Sequence, residues 1–130
     1  MFFSIDASNG VPIYEQVVRQ VKFAIAEEAL RPGQLLPSIR ALSVDLAINP
    51  NTVARAFQQL QSEGILEAVR GRGLAVCEGV AERCKQVRCE LITERLRSAL
   101  DEALRGGLEA ETIQAIVQQQ LHELASQVAQ

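Results

Sequence analysis

Two short stretches carry the side chains best suited to chemistry. In the first, Asn49, Pro50, Asn51, Thr52 and Arg55 open a helical segment whose inward positions are Val53, Ala56, Phe57 and Leu60. That spacing leaves Asn51, Thr52, Arg55 and Gln59 on the opposite face. Short hydrogen-bonding groups in the first turn of a helix can reach base edges in a major groove. Arg55, one turn further on, is long enough for a phosphate or a guanine. The second stretch is Val69-Arg70-Gly71-Arg72-Gly73. Arg70 and Arg72 in a glycine-rich tip add little to a core, and a basic tip of this kind suits a minor groove. Helix caps and solvated faces are also built from Asn, Thr and Arg, so the first stretch alone is ambiguous. The two together point to nucleic acid.

These residues need a frame. Ser38 follows Pro37 and is a suitable N-cap. At a helix N-terminus it can also direct a backbone N–H at a phosphate. Ile39, Leu42, Leu46 and Ala47 recur at helical spacing behind it. Asn49-Pro50 makes the next turn, with Asn49 capping and Pro50 at the first helical position. Gly64 can end that helix in a left-handed conformation. The apolar runs 65–68 and 74–77 flank the Arg-Gly tip and read as a tight hairpin. Upstream, residues 12–30 read as a long helix with Pro12 and Glu15 at its start. Tyr14, Val17, Val18, Val21, Ala24 and Ile25 form its apolar stripe. Tyr14 should bury its ring and find one hydrogen bond. Arg31-Pro32-Gly33 should end the helix and return Leu35 and Leu36 to the core. The opening Phe2, Phe3 and Ile5 should pack on this domain or on a second subunit.

Beyond Glu78-Gly79 the composition shifts. Cys84, Val87, Leu91, Leu96, Leu100 and Leu104 recur at helical spacing up to Arg105-Gly106-Gly107, which breaks the run. A second run from about residue 110 to 128 places Ile113, Ile116, Val117, Leu121 and Leu124 on one side. Two amphipathic helices joined by a tight turn form a hairpin. A lone hairpin leaves an apolar face uncovered, and two from two subunits close a four-helix bundle. The alternative is that the hairpin folds back on its own domain. The expected architecture is mainly α with a small β-hairpin wing: a winged helix-turn-helix over residues 1–78, followed by a two-helix hairpin over 79–130 that forms a homodimer.

Charge is the counter-argument. The net charge is −3, and residues 1–78 hold seven Lys+Arg against eight Asp+Glu. A nucleic-acid binder of this composition must gather its cations on one face. Arg40, Arg55, Arg70 and Arg72 are the candidates, against Asp45, Glu63 and Glu67 in the same stretch. No apolar run approaches the ~18 residues of a membrane helix, and no signal peptide opens the chain, so the expected location is cytoplasmic. The three cysteines, Cys77, Cys84 and Cys89, lack zinc spacing, and the single histidine, His122, stands far from them. No metal or other cofactor is expected. No nucleophile has a histidine partner and no phosphate loop is present, so the chain is not read as an enzyme.

The string PSIRALSVDLAINPNTVARAFQQLQSEGILEAVRGRGLAV resembles the winged helix-turn-helix of the GntR family of bacterial transcription regulators. The upstream PIYEQ start and RPGQLLPS turn extend the resemblance over residues 2–77. The short remainder is similar to the YtrA-type subfamily, with its small helical tail. The resemblance implies a contact between Arg40 and operator DNA, and further contacts from Asn49 to Thr52, from Arg55 and from Gly71-Arg72-Gly73. Ala54 and Leu74 depart from residues common in relatives, which bears on the operator sequence. The implied function is a sequence-specific regulator, foremost a repressor, binding a two-fold operator in double-stranded DNA as a homodimer. Nothing resembles the larger relatives' sensor domains, so no small-molecule effector is identified. Two other readings stay open: a winged protein-interaction module without DNA binding, and a regulator that senses redox state through Cys89 beside Arg88.

Overall fold

The computed structural model describes residues 5, 6, 8 and 10–128. Phe2 and Phe3, expected to pack, lie outside the described residues. Helix α1 spans Ile13–Ala26 and follows Pro12; Val17, Val18, Val21 and Ile25 form its buried stripe. It stops well short of residue 30. Glu28 takes φ 64, and the Ala29 and Leu30 N–H groups both return to the Ala24 carbonyl, at 2.8 and 3.1 Å. Glu27 and Glu28 also oppose the negative end of the helix dipole, so extension is unfavourable here. The bend brings Leu30 into the core.

The segment after Arg31-Pro32-Gly33, expected only to return Leu35 and Leu36 to the core, behaves as a short third strand. Helix α2 spans Ile39–Leu46, α3 Pro50–Ser62, strand β1 Leu66–Val69 and β2 Gly73–Val76. β1 and β2 pair antiparallel, with Leu66 opposite Val76 and Val69 opposite Gly73. On the other side of β2, Gly33 N–H donates to the Val76 carbonyl (2.8 Å), Val76 N–H to Gln34 (3.0 Å) and Leu36 N–H to Leu74 (2.8 Å). Alternation then splits the two leucines: Leu36 is buried, whereas Leu35, bridged to Ala75, is 40% exposed. Leu35 therefore does not enter the core.

Both expected caps form. Ser38 Oγ accepts from Ala41 N–H at 3.0 Å, and Asn49 Oδ1 accepts from Asn51 N–H at 2.8 Å. Between them Ala47 takes φ 54 and ends α2, so it is exposed rather than inward-facing. Ile39 is likewise largely exposed, leaving Leu42 as the buried anchor of α2. Val53, Ala56, Phe57 and Leu60 turn inward from α3, and Gly64 follows the helix with φ 75. α3 packs closely on both α1 and α2.

Helix α4 spans Ala81–Arg105 and α5 Ala110–Val128. The chain forms two compact units, divided inside α4 between Cys89 and Glu90 rather than at Glu78-Gly79. The reason is that Val80 and Cys84 complete the core of the first unit, with Cys84 fully buried. Arg83 donates to the Glu63 carbonyl at 2.8 Å, and Arg88 pairs with Glu27 at 2.9 Å, fastening the first turns of α4. In the second unit Gly106-Gly107 turns the chain, and Ile113 is the buried side chain among the described residues. The two helices do not pack closely along their lengths. Cys84 and Ile113, both expected at a dimer interface, are thus covered within one chain. Leu96, Leu104, Ile116, Leu121 and Leu124 remain exposed.

Candidate nucleic-acid interface

Strand pairing places the start of α2 beside the wing. Residues 33–36 run along β2, and the chain passes directly from Leu36 through Pro37 to the Ser38 cap. A groove of about 380 Å³ results, in which Ser38 and Arg40 face Arg72 and Gly73. Its floor is apolar and includes Leu36, Phe57 and Leu74. Residues more than thirty positions apart in the chain therefore share one surface.

The wing tip is a turn in which Arg72 N–H donates to the Val69 carbonyl at 2.9 Å. Gly71 sits in it at φ 77, a conformation that strains any residue with a Cβ. Arg70, Gly71 and Arg72 are all exposed. Arg70 and Gly71 project beyond the groove, since neither lines it.

A second groove, of about 430 Å³, lies where the first turn of α3 meets the start of α1. Asn49, Asn51, Thr52 and Arg55 line it together with Ile13 and Tyr14. Asn51 is exposed and Thr52 half-buried. Asn49 and Ser38 have their side-chain oxygens engaged as caps, so they shape the two helix starts rather than offer free acceptors. Pro50 is exposed and presents no N–H. The Arg55 guanidinium lies over the Tyr14 ring, 3.8 Å from its centroid. Tyr14 is partly rather than fully buried, and its hydroxyl donates to Glu15 at 3.4 Å. Its lining role was not foreseen; its position at the very start of α1, level with the first turn of α3, is a tertiary fact.

Charge is left open on this surface. Among the described residues, Arg40, Arg55, Arg70 and Arg72 have no carboxylate within ion-pair distance, a property they share with Arg31, Arg83, Arg95 and Arg97, whereas Arg19, Lys22, Lys85, Arg88 and Arg105 each have one. Lys22 meets Glu63 at 2.8 Å and is largely buried. The net negative charge is thus compatible with a locally unneutralised cationic surface. Gln16, which sequence reasoning missed, is buried and ties the start of the chain: it accepts from Asp6 N–H at 2.8 Å and donates to the Asp6 and Val11 carbonyls.

The thiols differ. Burial pushes the Cys84 thiol up, and burial with the Glu67 carboxylate does the same for Cys77, so both are held in the unreactive protonated form. Cys89 is exposed. Among the described residues no cluster of His, Cys, Asp and Glu could hold a metal ion, and no helix is long and apolar enough to cross a membrane.

Comparison with known proteins gives a consistent picture. Residues 13–76 match the family described as bacterial regulatory proteins, gntR family. The transcriptional repressor YtrA of Bacillus subtilis is 36% identical over 109 residues, covering 84% of this chain and 84% of that protein. The solved structure of a GntR family transcriptional regulator from Listeria monocytogenes superposes with a TM-score of 0.71 at 28% identity, covering 86% of this chain and 97% of the other. AraR(DBD), solved in complex with operator ORX1, gives a TM-score of 0.51 at 26% identity, over 59% of this chain and 93% of its own. With 36% identity to one such repressor over 84% of both chains, and the same winged architecture as solved members, this chain belongs to the gntR family of bacterial regulatory proteins.

Proposed function

We propose that this chain is a transcription repressor that occupies a two-fold operator as a homodimer and thereby blocks polymerase. The observation that carries the reading is that Arg40 and Arg72 share one groove and Arg55 shares a second with Asn51 and Thr52 at the first turn of α3, with no carboxylate paired to any of the three. In this reading α3 enters the major groove and presents Asn51 and Thr52 to base edges. Arg72 and Arg70 carry the wing to the minor groove, where narrow width concentrates negative potential. Arg40, at the start of α2, meets the phosphate backbone between them.

The apolar positions of the tail supply the dimer: the exposed Leu96, Leu100, Leu104, Ile116, Val117, Leu121 and Leu124, with the half-buried Val87 and Leu91 at their edge. Their exposure in a single chain supports a second copy as the cover, since large contiguous apolar surfaces are unusual on monomers. Two recognition helices related by a two-fold axis then read two half-sites. The AraR complex supports this reading, since it holds a DNA-binding domain of similar fold on an operator. The relatives are regulators, and no catalytic step is assigned to this chain. An operator as partner makes the cytoplasm the site of action.

Fluorescence anisotropy of the full chain on the DNA upstream of its own gene, against random DNA and across a salt series, tests the reading. Preference for the upstream DNA is expected, with log K falling against log salt at about −0.9 per phosphate neutralised. Weak binding without preference would overturn it and favour a protein partner for the same surface.

A further inference from the structure

We infer that Tyr14 is a positioning residue for operator recognition: its ring holds the Arg55 guanidinium at the groove beside Asn51 and Thr52. This rests on the operator-binding reading above.

An exposed arginine on a helix surface samples many rotamers, and fixing it on binding costs entropy. Arg55 is exposed, yet its guanidinium lies 3.8 Å from the Tyr14 centroid. A stacked guanidinium is engaged through its face, and its donors lie in its plane, directed outward. Among the described residues Arg55 has no carboxylate partner to occupy them. A second such stack among the described residues differs. Arg88 stands over Phe23 at 5.7 Å while its guanidinium is committed to Glu27 at 2.9 Å, so it fastens α4 and offers little outward. Among the described residues, the Arg55 stack is the one that pairs a stacked guanidinium with donors left for a ligand.

The platform itself is rigid. Tyr14 is part of the layer packed against the main core, and its hydroxyl donates to Glu15. α1 and α3 pack closely, which holds the Tyr14 ring within reach of the Arg55 side chain. Tyr14 also lines the same groove as Asn51 and Thr52. Tyr14 therefore acts through Arg55, a residue read as a DNA contact, without being a contact itself.

The test is a double-mutant cycle with the full chain on the upstream DNA: wild type, Tyr14→Phe, Tyr14→Leu, Arg55→Ala and the Tyr14→Leu, Arg55→Ala pair, each checked for an unchanged thermal midpoint. Tyr14→Phe keeps the ring and should bind as wild type. Tyr14→Leu should lose about two- to fivefold in affinity, the equivalent of one exposed cation–π contact. On the Arg55→Ala background it should lose nothing further. Additive losses overturn the positioning role, and so does a Tyr14→Phe loss equal to that of leucine, which would assign the hydroxyl to DNA instead. A second readout needs no DNA. Tyr14 is the chain's single tyrosine, so ring-current displacement of the Arg55 side-chain protons can be tied to it by NMR. Their upfield shift should vanish in Tyr14→Leu. If the shift is present but wild type binds no operator, the function reading fails and the stack survives as structure alone. If operator binds but the shift is absent, the positioning role fails by itself.

Discussion

Ala47 shows how a single residue departs from what its neighbours imply. It continues the apolar spacing of Ile39, Leu42 and Leu46, yet it takes φ 54 and turns the chain between α2 and α3. A left-handed alanine costs about 1–2 kcal/mol relative to its preferred wells. Ala47→Gly removes that strain at some cost in unfolded-chain entropy, so it should stabilise the protein by about 0.5–1 kcal/mol, read as a higher thermal midpoint. The operator residues separate at the same scale. Asn51→Ala or Thr52→Ala should cost about 1–3 kcal/mol on the preferred site and much less on random DNA. Arg72→Ala should weaken both DNAs similarly and reduce the salt slope by about 1. Equal losses on both DNAs for Asn51→Ala would move that residue to the phosphate class. The caps Ser38 and Asn49 were legible because capping is decided within three residues. The Arg55–Tyr14 stack was not, since it joins two helices 41 positions apart in sequence.

At the scale of elements, one ion pair connects α1 to the end of α3. Glu63 follows α3 as its C-cap and accepts from Lys22 of α1 at 2.8 Å and from Gln59 at 3.1 Å. Burial alone would push its carboxyl up. The hydrogen bonds from Lys22 and Gln59, with the charges of Lys22 and Arg83, outweigh burial and hold it below its ordinary 4.5. A depressed carboxyl contributes stability that is fully present above the ordinary value and is lost as pH falls through the lowered one. Acid titration of the thermal midpoint should therefore show a loss below about pH 4.5 that Glu63→Gln reduces. Unchanged acid sensitivity in that variant would leave the pair without energetic weight. The third strand beside β2 belongs to this scale too. Gln34-Leu35-Leu36 shows no alternation of residue type, because the outward Leu35 and the inward Leu36 are the same residue. Its pairing depends on where β2 lies, and that pairing brings Arg40 to Arg72.

For the whole molecule the deciding question is what covers the tail. Leu100 lines a hollow with Ile113 and Val117 inside one chain, so a charge there would disturb the helix pair as well as any interface. Leu121, 62% exposed, is the cleaner probe. Leu121→Asp should convert a dimer to a monomer by sedimentation and weaken operator binding, because burying an unpaired carboxylate is strongly unfavourable. The first unit should keep its thermal transition. A variant that remains dimeric would place the interface elsewhere. Local sequence was enough for the helices, their caps, the glycine-tipped wing and the surplus of apolar side chains in the tail. Each follows from residues a few positions apart, where periodicity and backbone preference act. Only the tertiary structure decided that Cys84 completes the first core, that residues 33–36 join β2, and that Arg55 rests on Tyr14. Those outcomes depend on which distant segments fill the same space, and local spacing holds no record of that.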